Sequence, residues 1–70
     1  MISYKPLWMT LIRKDKKKMD LLEIAKISRG TLAKMGKNEY VNMRIVDNIC
    51  RELDCRIEDV MEYVKDASEA

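Results

Sequence analysis

The chain has no histidine, which removes the commonest general base and metal ligand available near neutral pH. No nucleophile–base set replaces it, so an enzyme is not expected. Cysteine occurs twice, too few for a disulfide scaffold and in keeping with a reducing compartment. Two thiolates without histidine do not close a tetrahedral zinc site within one chain. Two readings remain: core packing, favoured for Cys50 on an apolar helical stripe with Cys55 in the following turn, or an all-thiolate site shared by two subunits. No cofactor or metal is expected. Apolar runs are short, none approaching the roughly 20 residues that span a bilayer, and the opening MISYKPLW lacks the apolar stretch of a signal peptide. These absences predict a cytoplasmic chain with no membrane partner. Repeats, low-complexity tracts and linkers are also missing, so residues 1–70 are expected to form one domain. At this size a chain buries only about 60% of its unfolded surface, and the 47% apolar content is ample for one core.

Charge is present in both signs but unevenly placed. The formal net charge is only +2. Residues 1–37 nevertheless hold ten Lys/Arg against three acids, a balance of +7, while residues 38–70 hold four against nine, a balance of −5. A basic half is what attraction to phosphates requires.

The most informative stretch lies within that half. Residues 18–36 contain two short helical patterns joined by a tight turn. Leu21, Leu22 and Ala25 mark one face of the first, Ile27 sits in the turn, and Ser28 can cap the second. Leu32 and Met35 mark a narrow apolar edge on that second helix, and Gly36 supplies a stop. So few apolar positions leave Arg29, Gly30, Thr31, Ala33 and Lys34 facing outward, the layout of a helix-turn-helix whose second helix enters the DNA major groove.

The rest of the chain supports a small all-α bundle. Leu7, Trp8, Leu11 and Ile12 form a stripe on a helix over about 6–14, with Pro6 in its first turn. Helix two is expected over about 18–26 and helix three over 29–35. Asn42 caps a fourth helix through Leu53, burying Ile45, Val46, Ile49, Cys50 and Leu53. A short fifth helix begins near Ile57, with Ile57, Val60 and Met61 inward, and residues 65–70 are expected to fray. Residues 1–4 and 61–64 either pair as a two-stranded ribbon or leave one end disordered and the other continuing helix five.

The residues Tyr4-Lys5-Pro6-Leu7-Trp8, Asp20-Leu21, Ala25, Ile27-Ser28 and Thr31-Leu32-Ala33-Lys34-Met35-Gly36 are similar to the lambda-repressor-like (Cro/repressor, XRE) helix-turn-helix family. So are Ile49-Cys50, Leu53-Asp54-Cys55 and Ile57 through Tyr63, and the resemblance is to its small stand-alone bacterial or phage members. It implies a compact five-helix domain and transcriptional control, usually repression, through dimeric binding to operator DNA. Two positions depart from the family pattern. Lys17 stands where Ser or Thr usually caps helix two, a loss of about 1 kcal/mol. Lys26 replaces the usual turn glycine, which strains the chain if the residue is left-handed; a distorted turn and marginal stability are expected.

The resemblance places Arg29 where a base-contacting side chain stands. Its guanidinium can donate two parallel hydrogen bonds to guanine O6 and N7, or it can serve a phosphate or stay solvated. Gly30 lets the backbone approach a base edge or is simply tolerated in a first turn. Ala33 can pack on a methyl group and Lys34 can reach a base or a phosphate. Phosphate contacts are expected from Lys17 and Lys18 before helix two, with Lys16 extending the patch. Thr31, Lys37, Asn38 and Arg44 are expected to add others, with contact to a thymine methyl as the alternative for Thr31. Because one recognition helix reads few base pairs, a homodimer on half-sites about 34 Å apart is expected. Met61, Tyr63, Val64 and the end of helix four are its candidate surface. The competing reading is a protein-interaction module, such as an antitoxin or a binder of another regulator, suited by the acidic second half and six methionines.

Overall fold

The computed structural model of the chain describes residues 1–65. Strand β1 (Ile2–Ser3) leads into α1 (Lys5–Arg13), and a 3-10 turn (Lys18–Asp20) opens into α2 (Leu21–Ile24). Then come α3 (Arg29–Gly36), α4 (Met43–Leu53), a second 3-10 turn (Ile57–Asp59) and strand β2 (Glu62–Tyr63). The chain ends do pair: β1 and β2 run antiparallel, with Ile2 opposite Tyr63 and Ser3 opposite Glu62. The frayed tail expected over 65–70 falls, for residues 66–70, outside the described residues.

One core gathers Tyr4, Leu7 and Leu11 from the start of the chain with Leu21, Ala25, Ile27 and Met35 from the helix-turn-helix. Val46, Ile49, Leu53 and Val60 complete it. Two helix starts follow local chemistry. Ser28 Oγ accepts from the Thr31 amide at 3.1 Å, and Asn42 Oδ1 accepts from the Arg44 amide at 2.8 Å, so both caps satisfy amides that a helix leaves without partners. Ahead of α2, Lys17 supplies no side-chain cap. Its backbone N–H instead donates to the Asp20 carboxylate at 2.8 Å, the reciprocal half of a capping box.

Helix ends obey a different rule. Asp15, Lys26, Asn38 and Asp54, one just beyond each α-helix, all have left-handed backbone, with φ between 52° and 58°. Asp and Asn tolerate this region; a lysine there is strained. The strain expected at Lys26 is therefore present, at φ 57°. The stop expected at Gly36 belongs to Asn38 instead: Gly36 remains helical, and the Glu39 amide closes on the Lys34 carbonyl at 2.9 Å.

Several expectations need correction. Ile12 is 75% exposed rather than on the core stripe of α1. Thr10 is buried in its place because its hydroxyl donates to the Asp59 carbonyl at 2.7 Å and accepts from Arg13 at 2.9 Å, which leaves no polar atom unsatisfied. The fifth helix is only the 3-10 turn 57–59. Val60 is already fully buried one residue later, and the chain then extends to pair as β2. Within that turn Ile57 is 49% exposed, not inward. Helix two also ends early, because Ala25 leaves helical geometry ahead of left-handed Lys26.

Candidate nucleic-acid interface

Helix α3 is held by little. Met35 is buried, Leu32 half-buried, and Ile27 anchors the turn beneath its start. The opposite side carries Arg29, Gly30, Ala33 and Lys34, all exposed. Their spacing of i, i+1, i+4 and i+5 places them on one helix face, and Lys37, exposed at the next turn, continues it. No acidic residue occurs in α3. Among the described residues, neither Arg29 nor Lys34 nor Lys37 forms an ion pair. The row is thus cationic, protruding and free of internal neutralisation.

Thr31 departs from this row. It is half-buried, and its hydroxyl accepts from Ser28 Oγ at 3.0 Å, so it completes the start of α3 as well as bordering the outer face. Gly30 is exposed without positive φ, and a Cβ added there would lie 3.8 Å from Ser28 Oγ, an ordinary contact. The fold therefore does not require glycine at this position.

The other candidate cations lie on separate elements. Lys17 and Lys18 are exposed ahead of α2, and the Lys18 ammonium sits over the Trp8 ring, 4.5 Å from its centroid. The ring attracts the cation electrostatically and restricts where it points. Arg44 is exposed in the first turn of α4. Asn38 is partly committed within the protein: its Oδ1 accepts from the Tyr4 amide at 3.0 Å, leaving the side-chain amide hydrogens outward-capable.

That bond belongs to a brace not apparent from local sequence. Tyr4 is almost fully buried, and its hydroxyl donates to the Glu39 carbonyl at 2.9 Å. Burial raises its phenol pKa above the ordinary value, with a smaller opposing effect from the Val41 backbone. The segment after α3 is thereby tied to the start of α1, fixing the C-terminal end of the exposed helix. The partners are separated by more than thirty residues, so no local pattern marks the tie.

The cysteines lie away from this face. Both are free and half-buried, and the Cys55 amide bonds the Cys50 carbonyl at 3.0 Å where left-handed Asp54 closes α4. Burial raises both thiols, Cys55 to about 11 with the Cys50 charge adding to the effect. Thiols held protonated are poor nucleophiles and poor metal ligands. Among the described residues no cluster of three or more His, Cys, Asp or Glu side chains is placed to hold a metal, and no helix is long and apolar enough to cross a membrane.

A supported two-helix turn with an exposed basic second helix is the geometry of one group of DNA-binding domains, and the sequence pattern of the Cro/C1-type helix-turn-helix DNA-binding domain matches residues 6–66. The chain belongs to that family. The crystal structure of a transcriptional regulator, VanUg, is 40% identical in sequence and superposes with a TM-score of 0.88, covering 93% of this chain and 87% of that one. No curated protein gives a significant match. As a Cro/C1-type domain, the chain carries a DNA-binding helix-turn-helix.

Proposed function

We propose that the protein is a transcriptional repressor that binds operator DNA as a homodimer in the cytoplasm, each copy inserting α3 into a major groove. The outward row of α3 carries this reading: two cations, a glycine and an alanine on one face, without an acid among them. In this arrangement Arg29 donates two hydrogen bonds to a guanine, a contact worth about 1–3 kcal/mol of discrimination. Lys34 reaches an adjacent base edge. Gly30 and Ala33, lacking bulk, let the helix backbone approach the bases closely. Lys17, Lys18, Thr31, Lys37, Asn38 and Arg44 contact phosphates on either side and set the register without reading sequence. Trp8 assists by holding Lys18 in a restricted position. The likeness to a transcriptional regulator over nearly the whole chain supports the regulatory role.

The test is fluorescence anisotropy with DNA from the protein's own upstream region and with a scrambled duplex, across a salt series. Specific binding at least about a thousandfold tighter than to scrambled DNA, weakening steeply with salt, is expected. Equal and weak binding to both would refute autoregulation through this face and would leave a distant operator or a function exerted through a protein partner.

A further inference from the structure

The correction at Ile12 exposes a second face of α1. Met9 and Ile12 are 56% and 75% exposed, three residues apart on the side of the helix away from Leu7 and Leu11. With Pro6 they form the apolar floor of a groove of about 540 Å³ between α1 and the segment from the second 3-10 turn to β2. One wall carries Lys5 and Arg13, the other Asp59 and Glu62. Arg13 and Asp59 pair across it at 3.8 Å. Lys5 and Glu62 form no ion pair among the described residues. The groove therefore presents one unneutralised cation and one unneutralised anion beside apolar side chains, and no residue of α3 lines it.

We infer that this groove is the surface on which a second copy of the chain docks. The occupant is set by the charges. In a two-fold dimer the same patch meets itself in reverse, so Lys5 of each copy faces Glu62 of the other and both pairings form together. Met9 and Ile12 of each copy are then covered by the other copy. A partner of one charge sign would leave either Lys5 or Glu62 unmatched; a second copy satisfies both. The apolar pair supplies the association and the charges set its register. The inference rests on the homodimer reading and locates its contact at α1 and the start of β2 rather than at the end of α4.

Sedimentation equilibrium of the native chain and its variants tests this. Ile12→Glu alters an exposed side chain, so circular dichroism should show an unchanged helical spectrum while the dimer dissociates to monomer and the melting temperature loses its dependence on concentration. Lys5→Glu and Glu62→Lys, each placing like charges opposite each other, are expected to weaken the dimer about tenfold apiece. The Lys5→Glu/Glu62→Lys double variant restores both pairs and is expected to recover native association. A native chain that stays monomeric at every concentration overturns the homodimer reading together with this surface. A dimer that Ile12→Glu leaves intact overturns this surface alone, as does a double variant weaker than either single one.

Discussion

Replacing Lys26 by glycine should stabilise the protein. Lys26 has φ 57°, where a non-glycine residue pays about 1–2 kcal/mol for the crowding of Cβ against the backbone. Glycine removes that strain but adds about 0.4–1 kcal/mol of unfolded-chain entropy. The difference favours the variant by roughly 0.5–1 kcal/mol. A domain of this size shifts its melting temperature by about 4–8 °C per kcal/mol, so a rise of about 2–8 °C is expected. The side chain is exposed and makes no hydrogen bond or ion pair among the described residues, so little is lost with it. Thermal melting monitored by circular dichroism, with a urea titration to show an unchanged slope, measures the effect. Asn38→Gly is the control. Its backbone is equally left-handed at φ 58°, but its side chain accepts from the amide of buried Tyr4 at 3.0 Å. Leaving that amide unpaired costs about 1–3 kcal/mol, more than the relief of a strain that asparagine already tolerates. The two glycine substitutions should therefore move the melting temperature in opposite directions. A fall or no change for Lys26→Gly refutes the strain argument.

Arg29→Ala should cut preference for the protein's own operator while leaving weak binding to scrambled DNA; Lys37→Ala should weaken binding to both alike and lower the salt slope by about one for each copy bound, about two for the dimer. Competition titrations separate the two, and a uniform loss for Arg29→Ala removes its base-reading role. Ala25 is 2% exposed at the junction of α2 with the turn, so Ala25→Leu should overpack the core at a cost of about 1–3 kcal/mol; a native melting temperature contradicts this. The raised thiols make a prediction about pH. Their folded pKa values lie above the unfolded ones, so their contribution to stability is complete below the ordinary thiol range and is lost as pH rises toward the Cys55 value of about 11. Urea midpoints at pH 8 and about 10.5 should fall further for the native chain than for the Cys50→Ala/Cys55→Ala variant, and equal falls would argue against it.

Legibility in the sequence depended on the range of the interaction. Helices α3 and α4 were legible because Ser28 and Asn42 act within three residues of their own positions and the apolar spacing of 45, 46, 49 and 53 is unambiguous. Ile12 misled because the stripe of α1 is shared. Thr10 takes the buried place only when the Asp59 carbonyl, 49 residues away, arrives to receive its hydroxyl. The fifth helix failed for a related reason: β-branched and aromatic residues after Asp59 found a strand partner at the opposite end of the chain. At the site, the outward row of α3 came from local periodicity. The Asn38–Tyr4 bond and the Lys18–Trp8 contact did not, since each joins segments whose proximity only the fold creates.

The pairing of β1 with β2 has a consequence for how the domain opens. Met1 and Val64 exchange hydrogen bonds at 2.7 Å, Thr10 needs the carbonyl of Asp59, and Val60 lies in the core beside residues of α1. Helix α1 is therefore completed by residues 49 or more positions further along the chain. Without them Thr10 lacks its acceptor and the brace between Tyr4 and the segment after α3 rests on an unfinished helix. Loosening the strand pair should thus loosen the helix-turn-helix as well, so the domain opens as one unit rather than helix by helix.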